Sequence, residues 1–231
     1  MVDYFKFENH DEDLPFYTGE TELSLKGALL LFVCLILFVV PIVFPIPMGD
    51  FEFSLFLCLV LLLPTIYLLR GHLNLLFKKI KLSDFNIIIL CVFLSMAYSF
   101  AMLYILSKLG IASFAPVEEA LGVDLISIIS MFIQLMGEEL FKILMVLLAM
   151  FVLYRFSHNR KVSLVISLFI SMLCFGLVHG GFYGGFLQVF LIQGLGSIFN
   201  FYVYLKTRNI MVSYAAHLIF DLLLTLPNIF I

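Results

Sequence analysis

The amino-acid sequence predicts an all-α integral membrane protein, a polytopic bundle of about seven transmembrane helices. Hydrophobic residues make up 63% of the 231 residues and charged residues only 13%, and no soluble domain has enough polar surface to cover so much apolar side chain. A hydrocarbon core about 30 Å thick needs about 20 apolar residues per helix, so the chain has room for about seven spans with short connections. The expected surroundings are therefore a lipid bilayer, and nucleic acid is not an expected partner.

Uninterrupted hydrophobicity divides the chain into an acidic tail and seven spans. The predicted spans are 24–45, 50–69, 84–107, 126–154, 162–179, 184–205 and 210–230. We group the chain into a tail (1–23), three helices within 24–125 and a C-terminal core of four helices within 126–231. The fourth span is longer than a bilayer requires. Its first third, Ile126 to Gln134, either forms an interfacial or re-entrant helix or belongs to one tilted helix.

Basic residues fall in alternate connections, and this alternation predicts the orientation of the chain. They flank the second, fourth and sixth connections: Arg70, Lys78, Lys79, Lys81, Arg155, Arg160, Lys161, Lys206 and Arg208. Cytoplasmic loops are enriched in Lys and Arg, whereas Asp and Glu have little influence on orientation. We therefore expect a multi-pass protein of the cell membrane with a cytoplasmic N-terminus. Counting from the basic loops at about 1.5 Å per residue puts Glu138 and His179 toward the outer leaflet and His217 nearer the middle, which leaves open the face to which a site would open.

Glycines recur at four-residue spacing around the fifth and sixth spans, at Gly176, Gly180 and Gly184. Small residues at this interval let two helices approach closely, although a cavity or a flexible turn would need the same residues. The Gly180-Gly181 pair directly after His179 favours a turn at that point.

Two adjacent glutamates, Glu138 and Glu139, lie within the fourth span, followed by Lys142. One carboxylate can pair with the ammonium group, and a buried ion pair that fixes helix packing would explain that pair. The second carboxylate exceeds what one ammonium group can neutralise, and a carboxylate in such surroundings is a typical general base.

Three more ionisable residues lie in later spans. His179 ends the fifth span, and His217 and Asp221 are one helical turn apart on one face of the seventh. A single membrane histidine often serves only as a hydrogen-bonding group between helices. Ionisable residues on three separate spans that can meet in one cavity instead indicate a functional site.

The order of these motifs resembles that of the CPBP superfamily of intramembrane proteases, which includes CAAX prenyl endopeptidases of the Rce type, bacteriocin-processing and immunity proteins, and PrsW site-1 proteases. The motifs are Glu138-Glu139, then Phe175-x-x-x-His179, then His217-x-x-x-Asp221. The resemblance covers about residues 126–224 and implies a conical intramembrane catalytic cavity.

The resemblance also implies a role for each motif residue. Glu138, next to Glu139, would activate a water molecule with help from His179. His217 and Asp221 would stabilise the oxyanion of the tetrahedral intermediate. An ionised aspartate repels an oxyanion, so Asp221 is either protonated or orients His217, and we favour the orienting role. The roles expected of Lys142 and Phe175 are substrate binding or structural support.

Two positions depart from the CAAX pattern. CAAX-type members continue the double glutamate as Glu-Glu-x-x-x-Arg, whereas this chain has Lys142 one residue earlier and Ile143 at the arginine position. The Glu-Glu-x-x-Lys form and Asp221, where CAAX enzymes commonly have Asn, are more similar to the PrsW branch. The motifs therefore indicate the superfamily without selecting a branch or a substrate class.

Metal dependence stays open at this point. A glutamate mechanism without metal or cofactor is the favoured prediction, and the H-E-x-x-H spacing of many zinc proteases is absent. Two histidines and a glutamate are nevertheless typical ligands of catalytic zinc. If zinc is bound, as in a metalloprotease, Glu138, His179 and His217 are the expected ligands.

Three functions fit the sequence. The first is an intramembrane endopeptidase that cleaves a membrane-associated peptide or protein. The second is a non-catalytic binding protein of the same fold, such as a bacteriocin immunity or signalling partner. The third is a small proton-coupled transporter, which the absence of paired broken helices disfavours. The intact motifs favour the first.

Overall fold

A computed structural model describes residues 3–111, 125–180 and 185–229 of the chain, with side chains to Thr225 in the last helix. The described residues form seven helices and no β-strand, which confirms the predicted all-α bundle. The helices are α1 (Leu25–Val43), α2 (Asp50–Leu68), α3 (Phe85–Lys108), α4 (Leu125–Ser157), α5 (Arg160–Val178), α6 (Phe186–Thr207) and α7 (Ile210–Ile229). The first six are long and apolar enough to cross a membrane, so the chain is a multi-pass membrane protein.

Helix α4 is the central element of the bundle and packs against α1, α2, α5 and α7. It has 33 residues and is therefore about 50 Å long. Of the two alternatives for residues 126–134, a separate re-entrant helix is wrong, because one helix runs without a break from Leu125 to Ser157. Its central residues are buried among the other helices, and they include both Glu139 and Lys142.

Close approaches at glycine hold α4 and α5 against their neighbours. A Cβ atom on Gly137 would lie 3.1 Å from the backbone nitrogen of Cys58, so α2 and the glutamate-bearing part of α4 pack backbone to backbone. A Cβ atom on Gly194 would lie 2.7 Å from the carbonyl oxygen of Met172. The predicted close packing therefore occurs at Gly176, which faces Gly194, whereas Gly184 lies outside the described residues.

The acidic N-terminal tail folds against one end of the bundle. Glu8 is buried and accepts hydrogen bonds from Arg160 at 2.9 and 2.6 Å and from Arg208 at 2.7 Å. Phe16 and Tyr17 are buried in the same apolar core as the central part of α4. The tail thus ties the start of α5 to the end of α6.

Further ion pairs connect the tail to the basic connections. Glu22 lies 3.1 Å from Arg155, and Asp3 lies 2.6 Å from Lys161. Glu12 pairs with Lys78. We call this end of the bundle the basic face and the opposite end the distal face.

The buried Glu8 cluster makes stability depend on pH. Burial raises the pKa of Glu8, but hydrogen bonds from Arg160, the Phe5 backbone and Arg208 outweigh burial and hold this pKa below its ordinary value. A carboxyl group with a lowered pKa in the folded state stabilises the fold above its unfolded pKa. That stabilisation is lost as the pH falls through the folded pKa.

We expect Glu8→Gln to lower the free energy of unfolding at neutral pH by about 3–5 kcal/mol, because it leaves buried guanidinium groups without their anion. The free energy of unfolding of the variant should also fall less than that of the wild type when the pH is lowered. Denaturant titration of the detergent-solubilised protein at several pH values measures both effects. Glu20→Gln, at an exposed position of the same tail, is the matched control. If the two variants unfold alike at every pH, Glu8 does not anchor the tail.

Candidate active site

A cavity of about 780 Å³ lies among the helices. Six of the seven predicted site residues line it, on α4, α5 and α7: Glu138, Lys142, Phe175, His179, His217 and Asp221. Sequence motifs that are up to 83 residues apart (221 minus 138) therefore meet in one space. Glu139, the seventh, lies behind the cavity wall, where its side chain is 0% exposed.

Glu139 and Lys142 form a buried ion pair beneath the cavity. The Glu139 Oε1 and Lys142 Nζ atoms are 2.5 Å apart, and the Lys142 side chain is 1% exposed. The ammonium group also lies 4.7 Å from the centre of the Phe175 ring, within the range of a cation–π contact. Lys142 is therefore the counter-ion of Glu139, and the pair is held between α4 and α5.

Three more groups donate hydrogen bonds to Glu139. The nearest are the Ser213 hydroxyl to Oε2 at 2.9 Å and the His217 Nδ1–H to Oε1 at 3.0 Å. The Asn200 amide lies 3.3 Å from Oε1. A buried carboxylate needs hydrogen-bond donors at both oxygens, because burying it without them costs a large desolvation free energy. Glu139 therefore joins α4 to α6 and α7.

Sequence reasoning missed Asn200 and Ser213. Both are polar residues inside apolar spans, and a membrane-buried Asn or Ser usually hydrogen-bonds across helices. Their polarity could therefore have marked them in the sequence, but it does not show which helix carries the group to which they bind.

Glu138 faces the other way, into the cavity. Its side chain is 12% exposed, because adjacent residues of a helix point about 100° apart. Gln134, one turn earlier on α4, donates to Oε1 at 3.0 Å. The other oxygen, Oε2, lies 3.9 Å from His179 Nε2, too far for a direct hydrogen bond.

His179 is the C-cap residue of α5. Its Nδ1 atom lies 2.7 Å from the Phe175 carbonyl oxygen. A carbonyl oxygen only accepts, so Nδ1 carries a hydrogen and the neutral ring has its lone pair on Nε2. The rings of Phe175 and His179 are in contact, with their centroids 4.6 Å apart. The imidazole is thereby held with Nε2 toward Glu138.

His217 is oriented by Glu139. Its Nδ1 atom donates to Glu139, whereas Nε2 is 3.8 Å from Asp221 Oδ2, beyond hydrogen-bonding distance. By distance, the hydrogen-bonding partner of His217 is Glu139 and not Asp221, and the orienting role expected of Asp221 stays a prediction. Asp221 is more exposed than His217 and borders the open part of the cavity.

The three residues predicted as zinc ligands, Glu138, His179 and His217, all line the cavity. Within the described part of the chain, no group of three His, Cys, Asp or Glu side chains is close enough together to form a preassembled metal site. His217 turns Nδ1 to Glu139 and His179 turns Nδ1 to the Phe175 carbonyl oxygen, so Nε2 of each ring is the nitrogen that a metal could bind.

The C-terminal half of the chain matches a known family. Residues 121–223 match the model of the family described as type II CAAX prenyl endopeptidase Rce1-like. All seven predicted site residues fall within this match. No curated protein matches the chain, and no solved structure does.

We expect Lys142→Met to lower the free energy of unfolding by about 3–5 kcal/mol, because it leaves Glu139 buried without a counter-ion. The double variant Lys142→Met/Glu139→Gln should regain part of that loss, since the unpaired charge is then gone. Denaturant titration in detergent measures both, with Lys206→Met at an exposed position as the control. If the single variant is as stable as this control, the ion pair does not hold the bundle together.

Proposed function

We propose that the chain is an intramembrane endopeptidase of the CPBP superfamily in which Glu138 and His179 activate the attacking water. The match of residues 121–223 to the Rce1-like family supports this proposal. The substrate is a membrane-associated peptide or protein. The observation that carries the proposal is the 3.9 Å separation of Glu138 Oε2 from His179 Nε2 across a shared cavity.

This separation suits one bridging water. A water oxygen that bonds to both atoms lies roughly 2.8 Å from each, and polar groups just beyond direct contact are commonly bridged in this way. Both atoms accept hydrogen bonds, so the water would donate one hydrogen to each. Its oxygen lone pair is then directed into the cavity, toward a substrate carbonyl carbon.

Peptide hydrolysis follows as a sequence of proton transfers. The water oxygen attacks the carbonyl carbon while Glu138 takes the proton, which gives a tetrahedral intermediate with a negative oxygen. Glu138 then gives the proton to the amide nitrogen as the carbon–nitrogen bond breaks. The products are a new carboxylate and a new amine, and no group outside the protein, substrate and water is needed.

His217 is the proposed oxyanion donor. Glu139 holds Nδ1–H, and with a second proton on Nε2 the ring is an imidazolium that donates into the cavity. A fixed donor of this kind stabilises an oxyanion by about 2.7–4 kcal/mol in a site from which water is largely excluded. Asp221 would stabilise that proton and would not contact the oxyanion.

The two glutamates therefore have different tasks in this proposal. Glu139 is a positioning residue that acts through His217, and Lys142 balances its charge. Gln134 positions Glu138 by holding Oε1, which leaves Oε2 for the water. The mechanism we propose involves no metal.

We expect Glu138→Gln to reduce cleavage by about 10²- to 10⁴-fold, because the amide cannot accept the proton from water. Folding should be unaffected, since Glu138 lies at the cavity surface. The measurement compares new peptide termini in membranes that contain equal amounts of the wild-type protein or the variant. Glu22→Gln changes an exposed glutamate on the basic face and is the matched control.

Termini that disappear with Glu138→Gln and persist with Glu22→Gln would establish proteolysis and identify the substrate. An unchanged set of termini in the Glu138 variant would exclude the proposed base and favour a non-catalytic role.

A further inference from the structure

We infer that Gln193 is a substrate-binding residue, whose side-chain oxygen accepts a hydrogen bond from a backbone N–H of the bound polypeptide about three residues from the scissile bond. The inference rests on the proposed function for the identity of the occupant. The observations that carry it concern a part of the cavity wall that the proposed chemistry does not use.

Gln193 lies in the wall of the cavity, in the first half of α6. Gln193 and Asn200 are seven residues apart in this helix. Seven residues are close to two helical turns, so both side chains leave α6 on the same side. The Asn200 amide lies 3.3 Å from the Glu139 carboxylate. This side of α6 therefore faces the cavity and α4.

The side-chain oxygen of Gln193 is left without a hydrogen bond by the described part of the chain. The Oε1 atom is buried, and no donor among the described residues bonds to it. Gln134, in the same wall, donates to Glu138 at 3.0 Å. Ser130 and Ser197 donate to carbonyl oxygens of their own helices at 2.8 and 2.6 Å. A buried acceptor without a donor destabilises a protein, and a donor that arrives with a ligand explains why this one is present.

A widened turn of α6 holds Gln193 in place. Residues Phe190–Gly194 form a π-helical turn. Such turns are rare, and many of those known lie at functional sites. Tyr98 of α3 donates to the Leu191 carbonyl oxygen in this turn at 2.6 Å. Gly194 packs against the backbone of α5, where an added Cβ atom would lie 2.7 Å from a carbonyl oxygen. Helices α3 and α5 thus both fix the turn, and Gln193 projects from a rigid support.

A polypeptide in the cavity carries the group that Gln193 lacks. Each of its residues other than proline has one backbone N–H donor, and the oxygen of a glutamine side chain is an acceptor with two lone pairs. The terminal torsion of glutamine is broad, so Oε1 can turn from its buried position toward a donor in the cavity. The ligand class is therefore the polypeptide backbone, which Gln193 recognises whatever the side chains of the substrate.

The position of Gln193 determines which N–H it binds. Helices α4 and α6 both run from the distal face to the basic face, where they end beside Arg155 and Arg208. The seven residues from Gln193 to the level of Glu139 and Glu138 rise by about 10 Å. An extended polypeptide covers this distance in about three residues. The bound N–H therefore belongs to a residue about three positions from the scissile bond.

Gln193→Met removes the amide and keeps the length of the side chain. We expect its midpoint of thermal unfolding to equal or exceed that of the wild type, because a buried acceptor without a donor is gone. For a synthetic peptide that spans a Glu138-dependent cleavage site, KM should rise about tenfold. The kcat should be retained, since Gln193 contacts the substrate away from the reacting atoms. Gln188→Met, in the same helix and outside the cavity wall, is the matched control. An unchanged KM, or a midpoint below that of this control, would overturn the inference.

The position of the contact is tested with the same peptide after one peptide bond at a time is replaced by an ester, which removes one N–H. With the wild-type protein, an ester about three residues from the scissile bond should raise KM about tenfold. With Gln193→Met, the same ester should raise KM no further, because the two changes remove one interaction. An ester effect that is equal in both proteins at every position would exclude the contact.

Failure of this inference and failure of the proposed function give different results. If new termini depend on Glu138 but Gln193→Met cleaves with the wild-type KM, only the contact with Gln193 is wrong. If no termini depend on Glu138, the proposed function fails, and the inference fails with it.

Discussion

The buried ion pair of Glu139 and Lys142 is the interaction on which the rest of the site depends. Both charges are removed from water and from lipid, and such a pair is tolerated only when its remaining hydrogen-bonding capacity is satisfied. Here that requirement brings together four helices. Asn200 of α6 and Ser213 of α7 donate hydrogen bonds to the carboxylate, and the ammonium group lies over the ring of Phe175 of α5. The pair therefore fixes where α5, α6 and α7 stand relative to α4.

The same constraint separates the two adjacent glutamates into different environments. A helix turns by about 100° per residue, so once Glu139 points into the core, Glu138 must point to the cavity. The ion pair also fixes His217, whose Nδ1 atom binds Glu139. The orientation of His217 and the direction in which Glu138 points thus both follow from the position of this buried charge pair. Close packing at Gly137, against the backbone of α2, keeps this part of α4 from shifting.

Much of this arrangement could be predicted from the sequence. The uninterrupted hydrophobicity and the length of the spans predicted the helices, and their position at membrane depth singled out the ionisable residues Glu138, His179 and His217. The rest depends on helix rotation and on contacts between residues distant in sequence. Which carboxylate accepts the hydrogen bond from His217 depends on helix rotation, which one sequence cannot specify. The sequence therefore pointed to Asp221, which is one turn away on the same helix. The packing of the tail could not be predicted either, because the burial of Glu8 depends on arginines at distant positions in the sequence.

Glu138 is proposed to act on the substrate and Glu139 to hold the bundle together, and one paired measurement tests these two roles. The midpoint of thermal unfolding and the rate of cleavage of an identified substrate are measured for Glu138→Gln and Glu139→Gln under the same conditions. We expect Glu138→Gln to keep the wild-type midpoint and lose cleavage, and Glu139→Gln to lower the midpoint because Lys142 is left unpaired. A Glu138→Gln variant that cleaves at the wild-type rate, or a Glu139→Gln variant that is as stable as the wild type, would contradict these roles.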